Sequence, residues 1–132
     1  MRLKGKSALV TGGASGFGAE TVRQFVAEGA QVVLLDLDGR GAERVASECG
    51  ASATPVQGDV TRRADIETAV RAATAASGRL DIVVNNAGWT HRNKPILEVT
   101  EEEFDRVYAT NVKSIFLMTQ VAVPVMMAQG GG

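Results

Sequence analysis

A chain of 132 residues with 45% hydrophobic and 22% charged side chains has the make-up of one globular α/β domain. Its formal net charge of -1 supplies no attraction toward nucleic acid or anionic lipid, so neither is expected as a partner. Cys49 is the single cysteine, which excludes an internal disulfide; inside a helical-looking segment it reads as a packing residue.

In chain order, the apolar run at 7–10 predicts a buried strand, too short for the apolar core of a signal peptide. A glycine turn and a helix over about 16–28 follow, with Gly29 as the left-handed residue that ends it. The run 31–36 is β-branched and apolar on both faces, as in a parallel strand covered by helices. A helix over about 39–49, a weaker strand at 53–57 and a helix over about 62–76 come next, the last with Thr61 as its expected N-cap. Residues 80–85 predict a fourth strand. Thr100 and Glu103 have capping-box spacing and open a long helix toward Met127, with a kink expected at Pro124.

This βαβαβαβα order predicts a Rossmann-like parallel sheet with flanking helices. The fold is expected to be incomplete: the first four strands of a doubly wound domain, with residues 1–132 as one half-domain. In the long helix, Phe104, Val107, Tyr108, Ile115, Met118 and Ala122 form one apolar stripe. Phe116, Leu117, Val121 and Val125 form a second. A helix apolar on two sides is expected to be covered on two sides, either within its own domain or, as the preferred reading, by a partner subunit in a dimer or tetramer.

The chemistry begins at Thr11–Gly18, where Gly12, Gly16 and Gly18 stand between a strand and a helix. Such a loop needs one glycine for the tight turn, one for backbone approach to a pyrophosphate and one for close helix–strand packing; the helix N–H groups then face phosphate. Asp36 closes the second strand 18 residues beyond Gly18. An acid there accepts hydrogen bonds from adenosine ribose hydroxyls and repels a 2′-phosphate, and Ser15 and Leu37 bring no cation to offset that repulsion. NAD is therefore expected over NADP. Asp59 and Val60 follow the third strand, and Asn85-Asn86-Ala87-Gly88 the fourth, at the carboxyl edge where ligands of open α/β sheets collect.

Together with Asn111 in Thr110-Asn111-Val112, these segments resemble the short-chain dehydrogenase/reductase family along essentially the whole chain. The resemblance implies a cofactor site of Gly12, Ser15, Gly16, Phe17, Gly18, Asp36, Leu37, Asp59, Val60, Asn86, Ala87 and Gly88. It also implies that Asn111 holds a water in a proton relay, as the one catalytic position in this chain. The activity implied is hydride transfer between a nicotinamide and an alcohol or ketone. A 3-oxoacyl-thioester reductase of the same family is an alternative, and a non-catalytic NAD-binding or dimerising module is another.

The family pattern continues with a serine and Tyr-x-x-x-Lys, which are not among these residues. Tyr108 is the one tyrosine; Val112 stands four residues on, and Lys113 lies about 140° around the helix from it, so Tyr108 is not the catalytic acid. The chain therefore reads as part of a longer cytoplasmic enzyme and as inactive by itself. Trp89, His91 and Arg92 read as a solvated loop, and a lone histidine without a cysteine cluster gives no reason for a metal site.

Overall fold

The computed structural model describes residues 1–132. Four parallel strands, β1 (Ser7–Thr11), β2 (Gln31–Asp36), β3 (Ala53–Gln57) and β4 (Ile82–Val84), make one sheet in the order β3-β2-β1-β4. Registers run Ser7 to Gln31 through Thr11 to Leu35, Val32 to Ala53 through Asp36 to Gln57, and Ala8 to Ile82 through Val10 to Val84. The chain builds outward from β1 to β3, then returns to the other side of β1. The switch point therefore lies at the carboxyl ends of β1 and β4, where open parallel sheets bind ligands.

Every residue of β1 is buried, because helices cover both faces. The two-residue period of the strands divides the core. Ala8, Val10, Val32 and Leu34 pack toward α1 (Gly16–Ala27) and α2 (Gly39–Cys49). Leu9, Val33 and Leu35 pack toward α3 (Arg63–Ser77) and α5 (Ser114–Ala128). α3 buries Ile66, Ala69, Val70 and Ala73, a stripe at helical spacing. Gly13 is fixed by packing: a Cβ there would stand 2.6 Å from the Leu34 Cβ. Cys49 is half-buried against the α1/α2 side of the core, and that burial pushes its thiol up, consistent with a packing role.

Several expectations need correction. β4 covers Ile82–Val84, not 80–85. Leu80 is fully buried just before it, with both main-chain groups taken by the Gln129 side chain, N–H to Oε1 at 2.9 Å and C=O from Nε2 at 2.7 Å. Asp81 ties that approach to the start of β1. Its carboxylate accepts from the Ser7 N–H at 2.9 Å and pairs with Arg79 and Lys6. The N-cap of α3 is Arg62, without a side-chain cap; Thr61 instead donates its hydroxyl to Asp59 Oδ1 at 2.7 Å.

The long helix is three segments. α4 (Glu101–Tyr108) opens on the expected capping box, with the Glu103 N–H on Thr100 Oγ1 at 3.1 Å and the Thr100 N–H on Glu103 Oε2 at 2.9 Å. A π-helical turn at Ala109–Lys113 follows, and then α5, which continues through Pro124. The wide turn shifts the register, so the two expected stripes do not form as drawn. Leu117, Met118 and Ala122 are buried, with Val121 and Val125 beside them. Phe104, Tyr108, Val112, Ile115 and Phe116 are exposed, the first two stacked at 4.6 Å between ring centroids. The run Glu101–Ala128 is long and apolar enough to cross a membrane by length and composition alone. One side of it is nonetheless built into the core against α3.

Candidate functional site

At the switch point the end of β1 is locked to the end of β4. Thr11 Oγ1 accepts from the Asn86 and Ala87 N–H groups at 3.1 and 3.0 Å. The Asn86 amide nitrogen donates back to the Thr11 and Gly12 carbonyls at 3.0 and 3.2 Å. Both hydrogens of that nitrogen are thereby committed, so Asn86 shapes the site more than it offers donors to a ligand. Gly18 sits under this knot, where a Cβ would run into the Gly12 carbonyl oxygen and the Asn86 amide. Gly16 is the opposite case. Its φ is +53°, and nothing lies within 4 Å of where its Cβ would be.

That open space is at the amino end of α1. Ser15 occupies the N-cap position but makes no side-chain cap, and the first turn has no acid. By contrast, α2 is capped by Asp38 and α4 by Thr100. The first N–H groups of α1 and its positive dipole end are thus left for an external acceptor, the arrangement that suits a phosphate.

From there a cleft of ≈ 440 Å³ runs along the carboxyl edge of the sheet. Gly12, Ser15, Asp36, Leu37, Asp59, Val60, Asn86, Ala87 and Gly88 line it, so most of the expected cofactor positions converge on one space. Gly16, Phe17 and Gly18 stand outside that lining at the α1 terminus, with Phe17 89% exposed. Asp36 is held rather than loose: Oδ2 accepts from the Ala14 N–H at 3.0 Å and Oδ1 from the Asp38 N–H at 2.9 Å. A carboxylate has about four lone-pair sites, so two remain for a diol. Asp59 Oδ1 accepts from the Thr61 N–H and hydroxyl at 2.8 and 2.7 Å, which folds the Asp59–Thr61 loop over the cleft.

The far wall is built from residues outside the expected cofactor set. Trp89 is half-buried and lines the cleft, contrary to its reading as part of a solvated loop. Asn111, on the π turn, grips its backbone: Oδ1 accepts from the Trp89 N–H at 2.8 Å and Nδ2 donates to the Trp89 carbonyl at 3.0 Å. The Arg106 guanidinium lies 4.0 Å from the Trp89 ring centroid, and Arg106, Ala109 and Thr110 complete the wall. The loop beyond is pinned by Lys94, whose ammonium sits 2.7 Å from Glu103 Oε2 and holds that carboxyl below its usual range. A tryptophan directly after a close-approach glycine was the available signal for this wall. Arg106 gave none, being 17 positions away, beyond a loop and on α4.

The family model described as short chain dehydrogenase matches residues 6–132. The chain belongs to that family. It is 50% identical over 135 residues to a 4-formylbenzenesulfonate dehydrogenase of Comamonas testosteroni, covering 100% of this chain and 54% of that protein. A sorbitol dehydrogenase of Cereibacter sphaeroides is 39% identical over 132 residues, covering 100% of this chain and 51% of its own. In structure, the chain resembles a 3-ketoacyl-(acyl-carrier-protein) reductase from Brucella melitensis complexed with NADH. That match has a TM-score of 0.94 at 44% identity and covers 97% of this chain and 53% of that one. This short-chain dehydrogenase chain thus spans about half the length of the relatives it matches.

Proposed function

We propose that these 132 residues are the dinucleotide-binding part of an oxidoreductase that moves hydride between NAD(H) and an alcohol or ketone. The observation that carries this reading is the pairing of an uncapped α1 terminus with Asp36 across one cleft. The residues present fit such a group: Gly16 leaves open space beside the free N–H groups, and Gly18 lets α1 approach the knot at Gly12 and Asn86. A bound nicotinamide would supply the hydride acceptor or donor.

The chain's own residues bind and orient. Gly16, Phe17 and Gly18 present N–H groups to the diphosphate, and Ser15 adds a hydroxyl. Asp36 accepts from the adenosine ribose diol, and its charge disfavours a 2′-phosphate, so NAD is preferred over NADP. Leu37, Asp59 and Val60 surround the base, while Asn86, Ala87 and Gly88 allow the cofactor close to the sheet. Asn111 spends one N–H and one lone pair on Trp89, which leaves one of each to hold a water in a proton relay. No Tyr-x-x-x-Lys occurs among these residues, so proton transfer to substrate oxygen is assigned elsewhere in the protein, and this chain is inactive by itself. The exposed face of α4 and α5 is assigned to self-association, and the enzyme to the cytoplasm.

The test is affinity for NADH and NADPH in the complete protein and in Asp36→Asn. The wild type should favour NADH. Asp36→Asn, which retains one acceptor for the Ala14 or Asp38 N–H, should narrow the preference by about tenfold or more. An unchanged ratio would remove Asp36 from the ribose site. The NADH-bound ketoacyl reductase likeness supports the second reading, reduction of a 3-oxoacyl thioester. Cofactor choice does not separate the two. Turnover of a 3-oxoacyl thioester against simple secondary alcohols does, and NADH binding without either would leave a non-catalytic module.

A further inference from the structure

The cleft has two carboxylates in its lining, Asp36 and Asp59, and one cationic side chain, Arg106. Arg106 joins none of the ion pairs of the chain, although acids surround it on α4. What it lies over is the Trp89 indole, the guanidinium carbon 4.0 Å from the ring centroid. The platform beneath is fixed, since Trp89 is gripped at both its N–H and C=O by Asn111. A guanidinium is a plane with two faces. The guanidinium carbon sits over the indole, and the side chain is exposed and lines the cleft, so its side away from the indole is available to a ligand.

The geometry points to what would lie on it. α1, where a diphosphate would sit, is on one side of the sheet, whereas Leu35 and Val60 belong to the α3/α5 side. A dinucleotide whose ribose reaches Asp36 therefore turns its base toward Val60, Ala109 and Arg106. We propose that Arg106, positioned by Trp89, is an adenine-stacking surface, giving a layered indole–guanidinium–base arrangement; this rests on the dinucleotide reading above. An electron-rich neutral purine gains from a cation over its face, while an oxidised nicotinamide ring, itself cationic, is repelled. Arg106 would then set which end of a dinucleotide enters this half of the cleft, and Trp89 is a positioning residue.

The test is calorimetric titration of the complete protein with NADH, AMP and nicotinamide mononucleotide, two fragments alike in phosphate and different in base. Arg106→Leu should weaken NADH and AMP about tenfold and leave nicotinamide mononucleotide unchanged. Arg106→Lys, which keeps charge without a flat face, should restore little of the loss. Trp89→Phe should stay near wild type and Trp89→Leu should follow Arg106→Leu. AMP affinity unchanged in Arg106→Leu, equal losses for both mononucleotides, or full restoration by lysine would each overturn the proposal. A wild type that binds neither NADH nor AMP would overturn it together with the dinucleotide reading, whereas NADH binding indifferent to Arg106 would overturn it alone.

Discussion

Two glycines two positions apart face different constraints, and their alanine variants should separate folding from binding. At Gly18 a methyl would collide with the Gly12 carbonyl and the Asn86 amide, both held by the sheet. Gly18→Ala should therefore lower stability by about 1–3 kcal/mol in thermal melts, with nucleotide affinity falling as a consequence. At Gly16 the methyl meets nothing, and the cost is the positive φ, about 1 kcal/mol. Gly16→Ala should stay folded yet lose NADH affinity about tenfold or more, because its methyl occupies the approach to the α1 N–H groups. That these glycines meet a tight turn and a close packing was legible in the sequence, because few other residues satisfy those demands at those spacings. The two backbone bonds of Asp36 were not, since they depend on how the Ala14 and Asp38 turns close around it.

At the level of elements, strands and helices followed their apolar periods, and the places where they did not are where side chains replaced backbone order. β4 is short because Gln129 takes over the hydrogen bonding of Leu80. The π turn was invisible to a stripe drawn at constant helical pitch, and it places Asn111 on Trp89. Asn111→Ala would leave the Trp89 N–H and C=O without these partners, so a loss of about 1–3 kcal/mol and a weaker NADH complex are expected, read by melting and titration. The junction of β1 and β4 carries a pH signature. Arg79, then the Ser7 N–H and Lys6, hold the buried Asp81 carboxyl down from 3.8 to about 2. A carboxyl depressed in the folded state stabilises above its unfolded value and loses that contribution as pH falls through the folded one. Stability should drop between about pH 4 and 2 by on the order of 1–2 kcal/mol, less than the full shift because Arg79 and Lys6 face solvent. Asp81→Asn should abolish that part of the slope in acid titrations of stability.

For the molecule as a whole, the parallel order and the convergence of loops at one sheet edge were readable from the alternation of motifs. Which side of the last helix is buried was not, because the register changes at 109–113. The outcome is an exposed apolar face with Phe104, Tyr108 and Phe116 more than half exposed, beyond what a lone surface helix would carry. Phe116→Asp should weaken self-association of the complete protein in sedimentation while leaving NADH affinity intact, since Phe116 stands outside the cleft. A crystal structure of the protein with NADH decides whether the cleft at the carboxyl edge of the sheet holds the dinucleotide. Diphosphate on the N–H groups of α1, ribose hydroxyls on Asp36 and adenine between Val60 and Arg106 is the result expected. NADH bound away from this edge, or with its ribose turned from Asp36, would contradict it.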